Sequence, residues 1–266
     1  MAFMGRVEGT PVFVHLLPSL IPSGLLRGGV AVVMDVLRAT TVMTHALAAG
    51  ARVIFPTLSI EEAQAVAASL PAGTAILAGE RQGLRIAGFD RGNSPGDFTP
   101  ELCRDKSLVM TTTNGTVAIM ASLEAERTFI ASFANLSATA GAVEDAVGGA
   151  RVLHLVCSGT DGEISLEDSL LAGALMAALD QPRDGRSMAL EPANDSALMV
   201  AAQWREVSRD FGSRPLASVI RLGRGGRRVR QIGLDPDIDL AAAVDQFNLI
   251  AEIHRDPPRI EARTRG

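Results

Sequence analysis

Short apolar runs alternate along this chain with alanine-rich stretches of helical length, and this alternation constrains the fold more than any other feature. The runs that predict strands are residues 30–34, 51–55, 75–78, 107–110, 127–131 and 152–156. The stretches between them that predict helices are residues 41–50, 60–70, 117–124 and 138–147. Regular alternation of this kind is typical of α/β proteins with a mainly parallel sheet and helices on its faces.

The turns that follow these strands are where chemistry is expected, because ligands of such sheets bind beyond the carboxyl ends of the strands. The first turn contains Asp35, Arg38, Thr40 and Thr41. A carboxylate at the end of an apolar strand is costly to bury unless it binds a cation or accepts hydrogen bonds. A guanidinium three residues later can grip a phosphate or sulfonate with its planar fork of donors. A helix cap and a surface ion pair are the structural alternatives for Asp35 and Arg38.

Two further turns repeat parts of this pattern. Glu80 and Arg81 again join an acid to a guanidinium after an apolar strand. Thr112 and Asn114 stand in the run Thr-Thr-Thr-Asn-Gly-Thr before a helix start, where hydroxyls and amides can bind an anion or cap the helix. Both turns are predicted to contribute to a binding site.

The turn after the strand at 152–156 is the richest of the set. Ser158, Thr160 and Asp161 supply hydroxyls and a carboxylate beside glycines, the groups that hold a phosphate and its magnesium ion. Cys157 comes just before them, but a thiol phosphatase would need an arginine where Glu163 stands. Cys157 is therefore predicted to be a buried structural residue.

An internal repeat relates two of these turns. A shift of 75 residues places 41–55 on 116–130 without a gap, and it places the turn 35–40 on 110–115. The chain is predicted to be one globular unit, duplicated over about 30–105 and 106–253, with a frayed tail at 254–266. Before that tail, the pattern predicts a helix at 194–211, a mobile basic loop at 221–230, a helix at 237–246 and a strand at 247–253.

Composition limits the partners of the protein. The 266 residues carry 25 basic and 30 acidic side chains, which argues against a nucleic-acid partner. Two cysteines exclude a disulfide scaffold, and no apolar stretch reaches the length of about 20 residues that a membrane span needs. A cytoplasmic protein with no membrane partner and a small anionic ligand is expected, and a homo-oligomer stays open.

Several of these turns together resemble the 2-phosphosulfolactate phosphatase family of coenzyme M biosynthesis. The segments that carry the resemblance are Asp-Val-Leu-Arg-Ala-Thr-Thr at 35–41, Gly-Glu-Arg at 79–81, Gly-Phe-Asp-Arg-Gly-Asn-Ser-Pro at 88–95, Thr-Thr-Asn-Gly-Thr at 112–116, Cys-Ser-Gly-Thr-Asp-Gly at 157–162 with Ser-Leu-Glu-Asp at 165–168, and Gly-Leu-Asp-Pro-Asp at 233–237. The resemblance implies a three-layer α/β/α fold with duplicated αβ subdomains. It also implies a Mg2+-dependent phosphoric monoester hydrolase that converts 2-phosphosulfolactate, or a related 2-phosphorylated acid, to the hydroxy acid and phosphate.

Under this hypothesis three carboxylates would hold Mg2+ and carry the reaction, namely Asp35, Glu80 and Asp161. Six residues would contact the phosphorylated substrate, namely Arg38, Arg81, Thr112, Asn114, Ser158 and Thr160. Two alternatives remain open at the level of sequence. One is a covalent aspartyl phosphatase of broader range that uses Asp35 as the nucleophile, and the other is a non-catalytic anion-binding module.

Overall fold

The computed structural model describes residues 9–148, 151–181 and 188–264. Within these residues eleven strands form one open sheet in the order β5-β4-β6-β3-β11-β10-β7-β2-β8-β1-β9. Their bounds are β1 Thr10–His15, β2 Val30–Met34, β3 Val53–Thr57, β4 Ala75–Arg81, β5 Leu84–Arg85, β6 Ser107–Thr111, β7 Arg127–Ala131, β8 Leu153–Cys157, β9 Leu190–Pro192, β10 Leu249–Arg255 and β11 Pro258–Thr264. The predicted α/β class with a mainly parallel sheet is confirmed.

Ten α-helices connect or flank the strands in the described part of the chain. They are α1 Ala39–Ala48, α2 Ile60–Ser69, α3 Pro100–Cys103, α4 Gly115–Ala121, α5 Leu136–Val147, α6 Leu166–Leu179, α7 Asp195–Ser208, α8 Leu216–Ile220, α9 Arg224–Gln231 and α10 Pro236–Ala241. None of these helices is long and apolar enough to cross a membrane.

Helices cover both faces of the sheet because the side chains of its strands alternate between two apolar cores. Along β2, Val30, Val32 and Met34 join a core with residues of α5 and α6. Val33 points to the opposite face, where it joins a core with residues of α1 and α4. A period of two along a fully buried strand produces this division, and the predicted three-layer α/β/α architecture is confirmed.

The sheet consists of two parallel blocks joined by an antiparallel hairpin. In one block β2 pairs in parallel with β7 and β8, and in the other β6 pairs in parallel with β3 and β4. The hairpin of β10 and β11 lies between them, with β10 antiparallel to β7 and β11 antiparallel to β3. The unit β2-α1-β3 crosses from the first block to the second, and the unit β6-α4-β7 crosses back from the second to the first. This reciprocal exchange agrees with the repeat, although duplication of the domain stays a prediction.

The two blocks run in opposite directions, so in a flat sheet the carboxyl ends of β2 and β6 would lie at opposite edges. Five steps in the strand order separate these two strands. A twist of about 20–25° per step amounts to roughly 100–125° over that distance. Rotation of this size would bring the carboxyl ends of the two blocks to the same side of the sheet. Hydrogen bonds from Arg38 to Gly83 and from Asp161 to Asn114 join turns of the two blocks.

Two expectations for the last third of the chain are wrong. The basic segment 221–230, expected to be a mobile loop, contains helix α9. The segment 254–266, expected to be a frayed tail, contains β11, which lies in the middle of the sheet between β10 and β3. Its buried Ile260 pairs with Ile54 of β3. The predicted helices at 194–211 and 237–246 form, the second only as the shorter α10.

Candidate active site

A cleft opens where the turns after β2, β4, β6 and β8 meet helix α9. Polar groups dominate its wall, as expected for a charged ligand. The described residues that line it are Asp35, Leu37, Arg38, Glu80, Gly83, Asn93, Thr112, Thr113, Asn114, Thr160, Asp161, Gly225, Arg228, Val229 and Ile232.

Asp35 is a buried carboxylate at the end of β2. Its Oδ1 accepts a hydrogen bond from the backbone N–H of Ala39 at 3.2 Å, and its backbone N–H donates to Oγ1 of Thr40. Burial raises the pKa of Asp35 to about 6, and the negative charge of Glu80 adds to this effect. Hydrogen bonds from Ala39 and Ser158 and the positive charge of Arg38 act in the opposite direction. The side chain therefore ionises close to neutral pH.

A glycine allows helix α4 to approach this carboxylate. A Cβ on Gly115 would lie 2.5 Å from Cβ of Ala39 and 2.7 Å from Oδ2 of Asp35. No larger residue fits between the starts of α1 and α4 without moving one of them. Gly115 in the Thr-Thr-Asn-Gly-Thr motif is thus explained by close approach to Asp35.

Arg38 is held in a fixed position beside Asp35. Its Nη1 donates to Oδ2 of Asp237 at 2.8 Å, and its Nη2 donates to the carbonyl oxygen of Gly83 at 2.8 Å. Ser94 donates its hydroxyl to the other carboxylate oxygen of Asp237. Both ionic side chains are only 4% exposed, so Asp237 neutralises and orients Arg38 from outside the cleft.

Glu80 forms hydrogen bonds with the turn after β4 and with the turn after β6. Its Oε2 accepts the backbone N–H of Gly83 at 2.7 Å, and its Oε1 accepts the backbone N–H of Thr113 at 2.8 Å. Each carboxylate oxygen keeps further acceptor capacity. Glu80 is therefore fixed in orientation and still able to bind a cation.

Asp161 links the turn after β8 to the turn after β6 and to α9. Its backbone N–H donates to Oδ1 of Asn114 at 3.2 Å, while its carboxylate accepts a hydrogen bond from Nη1 of Arg228. Arg224, one helical turn before Arg228, lies 3.7 Å from the same carboxylate and pairs with Glu163. Helix α9 thus closes one side of the cleft through ion pairs.

Asp168 accepts hydrogen bonds from the start of the turn after β8. Its Oδ1 accepts the backbone N–H of Val36 at 2.8 Å, and its Oδ2 accepts the hydroxyl of Ser158 and the backbone N–H of Gly159, each at 3.1 Å. Burial raises the pKa of Asp168 well above its usual range. The carboxyl group connects the turns after β2 and β8 beneath the cleft.

The cleft brings together seven of the nine residues that the sequence suggested. Ser158 lies beneath the lining, bound to Asp168. Arg81 does not reach the cleft, because successive side chains of β4 point to opposite faces and Glu80 takes the inner position. Its guanidinium donates instead to the carbonyl of Glu80 and the hydroxyl of Thr111. Burial raises the pKa of the Cys157 thiol well above its usual range, and the prediction that Cys157 is buried is confirmed.

Sequence reasoning missed Asp237 and Arg228 as parts of the site. The only signal for Asp237 was its place in the Gly-Leu-Asp-Pro-Asp segment, and the signal for Arg228 was the density of arginines in 221–230. Glycines in that segment serve close packing: a Cβ on Gly225 would lie 1.9 Å from Oε1 of Glu167. Glu167 is buried under the first turn of α9, and burial raises its pKa to about 7.

The acidic residues offer oxygen ligands without forming a closed metal cage. Among the described residues no three His, Cys, Asp or Glu side chains are grouped closely enough to hold a metal ion. Mg2+ nevertheless is commonly bound through one or two carboxylates, with waters and substrate phosphate completing its shell. Asp35 and Glu80 face the cleft as two carboxylates close enough for the charge of one to raise the pKa of the other, and this donor set suits such a cation.

Comparisons with known proteins agree with this arrangement. The family profile described as 2-phosphosulpholactate phosphatase matches residues 15–256, from the last residue of β1 to the residue that follows β10. A probable 2-phosphosulfolactate phosphatase of Symbiobacterium thermophilum is 36% identical over 235 residues, covering 86% of this chain and 93% of that protein. One of Synechococcus sp. strain CC9605 is 38% identical over 238 residues, covering 88% and 92% respectively.

The matched region contains every strand-end turn of the cleft, together with α9 and α10. A match of this extent shows common descent of the whole site rather than of one motif. The chain belongs to the 2-phosphosulfolactate phosphatase family, a family of phosphoric monoester hydrolases.

Proposed function

We propose that this protein hydrolyses 2-phosphosulfolactate to sulfolactate and inorganic phosphate in a Mg2+-dependent reaction. The observation that carries the proposal is that Asp35 and Arg38 both line the cleft wall, in a chain of this family. The names of the relatives supply the substrate. Cytoplasmic location and coenzyme M biosynthesis remain predictions from the sequence.

The cleft suits a substrate with several negative charges. Phosphosulfolactate carries a phosphate, a carboxylate and a sulfonate on three carbons, and each acid group needs donors or cations to replace water. Arg38 lines the wall beside Asp35, and its guanidinium N–H groups beyond the two bonded to Asp237 and Gly83 are available to the phosphoryl oxygens. Thr112 and Asn114 add neutral donors on the facing turn.

Asp35 is the residue placed to move the proton of the attacking water. In the reaction the water oxygen bonds to phosphorus while the bond from phosphorus to the C2 oxygen breaks. One water proton passes by way of Asp35 to the C2 oxygen, and the other remains on the released phosphate. In the metal-free protein the pKa of Asp35 is about 6, so this carboxylate is mostly ionised at neutral pH. Its two oxygens allow one to face a cation while the other accepts the water proton.

Mg2+, when bound by Asp35 and Glu80, would neutralise charge on the phosphoryl group and on the departing C2 oxygen. Glu80 is suited to this because its orientation is fixed by two backbone N–H groups. Asp161, the third predicted ligand, is paired with Arg228 in this structure and would have to leave that arginine to join them.

A covalent route differs from this one only at Asp35. In it, the Asp35 carboxylate attacks phosphorus, and water then hydrolyses the aspartyl phosphate. Trapping with beryllium fluoride distinguishes the routes, because a stable adduct on Asp35 would require that the carboxylate itself reach phosphorus.

The test of the proposed function is phosphate release from 2-phosphosulfolactate by the purified protein, with Mg2+ and with EDTA. We expect steady release that EDTA abolishes and excess Mg2+ restores. No release in excess Mg2+ would contradict the proposed activity, and release unaffected by EDTA would contradict the role of the metal. Binding of sulfolactate without turnover would favour the non-catalytic alternative.

A further inference from the structure

Arg228 bridges the two sides of the cleft. It lies on α9 with its side chain against Asp161 of the turn after β8. On the other side, a Cβ built on Gly83, in the turn after β4, would lie 3.9 Å from Nε of Arg228. The Arg228 side chain therefore lies in the cleft lining between the loop that carries Asp161 and the turn that follows β4.

The two arginines in the described lining of the cleft differ in burial and in the partners that hold them. Arg38 is buried and is bonded to Asp237 and to the Gly83 carbonyl. Arg228 is 30% exposed, and its partner Asp161 is 35% exposed. A partly exposed ion pair contributes about 0–1 kcal/mol, so an incoming anion can replace Asp161 at little cost.

The charges of the proposed substrate need such a residue. Arg38 lies beside Asp35, where the phosphoryl group reacts, and this leaves two further acid groups without a dedicated cation. Arg228 is the remaining arginine of the described lining. An arginine fork forms paired hydrogen bonds with planar carboxylates and with the oxygens of tetrahedral acid groups.

We propose that Arg228 binds an acid group of the substrate that is not transferred, a carboxylate or sulfonate, and that Asp161 occupies this position until the substrate arrives. The inference rests on the proposed function and deepens it. Substrate binding exchanges one ion pair for another, and the exchange frees the Asp161 carboxylate inside the cleft. Helix α9 thereby selects phosphate esters that carry a second acid group.

Product binding to the intact protein tests this assignment, with Arg228→Gln as the variant and Arg224→Gln as its matched control. Arg224 lies on the same helix and pairs with Glu163 and Asp161, but it is not part of the cleft lining. The probes are sulfolactate, lactate and inorganic phosphate, each titrated by calorimetry. Wild-type turnover of 2-phosphosulfolactate is measured in parallel, so failure of the proposed function is seen separately.

We expect Arg228→Gln to raise the Kd of sulfolactate about 10- to 100-fold, the value of one charge-assisted hydrogen-bonded contact. Inorganic phosphate should bind with unchanged affinity, and Arg224→Gln should leave all three probes unchanged. Weaker lactate binding in Arg228→Gln would identify the carboxylate as the bound group, and unchanged lactate binding would identify the sulfonate. Equal loss for sulfolactate and phosphate, or no loss for sulfolactate, would overturn the assignment.

Asp161→Asn tests the exchange itself. Removal of the competing charge frees Arg228, and we expect sulfolactate to bind up to about 5-fold more tightly, the value of an exposed ion pair. Asparagine is the suitable replacement because Asp161 has a φ of +53°, which asparagine tolerates. Weaker or unchanged sulfolactate binding in Asp161→Asn would overturn the exchange.

Discussion

Two arginine–aspartate pairs stand in the same cleft and differ chiefly in burial. The Arg38–Asp237 pair is 4% exposed on both sides, and the Ser94 hydroxyl also binds its aspartate. The Arg228–Asp161 pair is about one third exposed. Burial makes the first pair a fixed support for the reacting end of the site, whereas exposure leaves the second free to exchange. An arginine–aspartate pair thus orients Arg38 in one place, and in the other it leaves Arg228 able to select a substrate with a second acid group.

Loss of the partner in the buried pair should have the largest effect on stability. Asp237→Ala leaves the Arg38 guanidinium buried without its counter-charge, and we expect the free energy of unfolding to fall by about 3–5 kcal/mol. Urea denaturation measures this change. Asp239→Ala is the matched control on α10, because Asp239 forms only an exposed pair with Arg221. Similar losses in both variants would contradict the distinction between buried and exposed pairs.

Displacement of α9 without a change of charge should have the next largest effect. In Gly225→Ala the new Cβ would stand 1.9 Å from Oε1 of Glu167, and we expect a loss of about 1–3 kcal/mol through overpacking. Sulfolactate binding should weaken as well, since Arg228 moves with the helix. Gly212→Ala, at an exposed glycine with no atom within 4 Å of the added Cβ, should change neither. Wild-type stability and affinity in Gly225→Ala would show that the position of α9 does not depend on this contact.

The buried acid beneath α9 gives stability a pH dependence. Burial raises the pKa of Glu167 from 4.5 to about 7, so the folded protein holds this proton more tightly than the unfolded chain. Stability should therefore fall as pH rises between these values, by up to about 1.4 kcal/mol per pH unit. In metal-free protein, Glu167→Gln should make stability fall less steeply with rising pH. A slope should remain, because burial also raises the pKa values of Asp35 and Asp168.

Denaturation across that pH range compares Glu167→Gln with Glu163→Gln. Glu163 is exposed, and its pKa is lowered by Arg224, so its contribution lies below this range. An unchanged slope in Glu167→Gln would show that Glu167 ionises normally under α9.

Loss of the exposed pair should have the smallest effect on stability. Asp161→Asn removes a partly exposed ion pair, and we expect a loss of about 0.2–1 kcal/mol that shrinks further as salt is added. The same urea measurement applies, at low and high ionic strength. A loss as large as that of Asp237→Ala would mean that the Arg228–Asp161 pair is a structural element and does not exchange.

The sequence predicted the parts of this molecule that obey local rules. Apolar runs such as 30–34 and 107–110 are strands because both of their faces are buried, and the polar turns after them line the cleft. Asp35, Arg38 and Glu80 could be found for this reason. The position of a strand end is a property of the strand itself.

Other parts depend on contacts distant in sequence. Strand β11 has charged residues at alternate positions and resembles a tail until β3 and β10 pair with it. Helix α9 contains adjacent glycines, a poor helical composition, and it forms where those glycines pack against Glu167 and Ile220. Asp237 becomes part of the site only because the fold brings it to Arg38, 199 residues away.

Asp35 carries the central claim, and phosphate release by Asp35→Asn tests it most directly. The variant keeps the size and hydrogen-bonding shape of the side chain while removing its charge and basicity. We predict that kcat for 2-phosphosulfolactate in excess Mg2+ falls by about 10²- to 10⁴-fold, the usual contribution of a positioned acid–base group. Binding of sulfolactate should persist, which shows that the fold is intact. Turnover at the wild-type rate would contradict the account, because the cleft would then act without the carboxylate around which it is built.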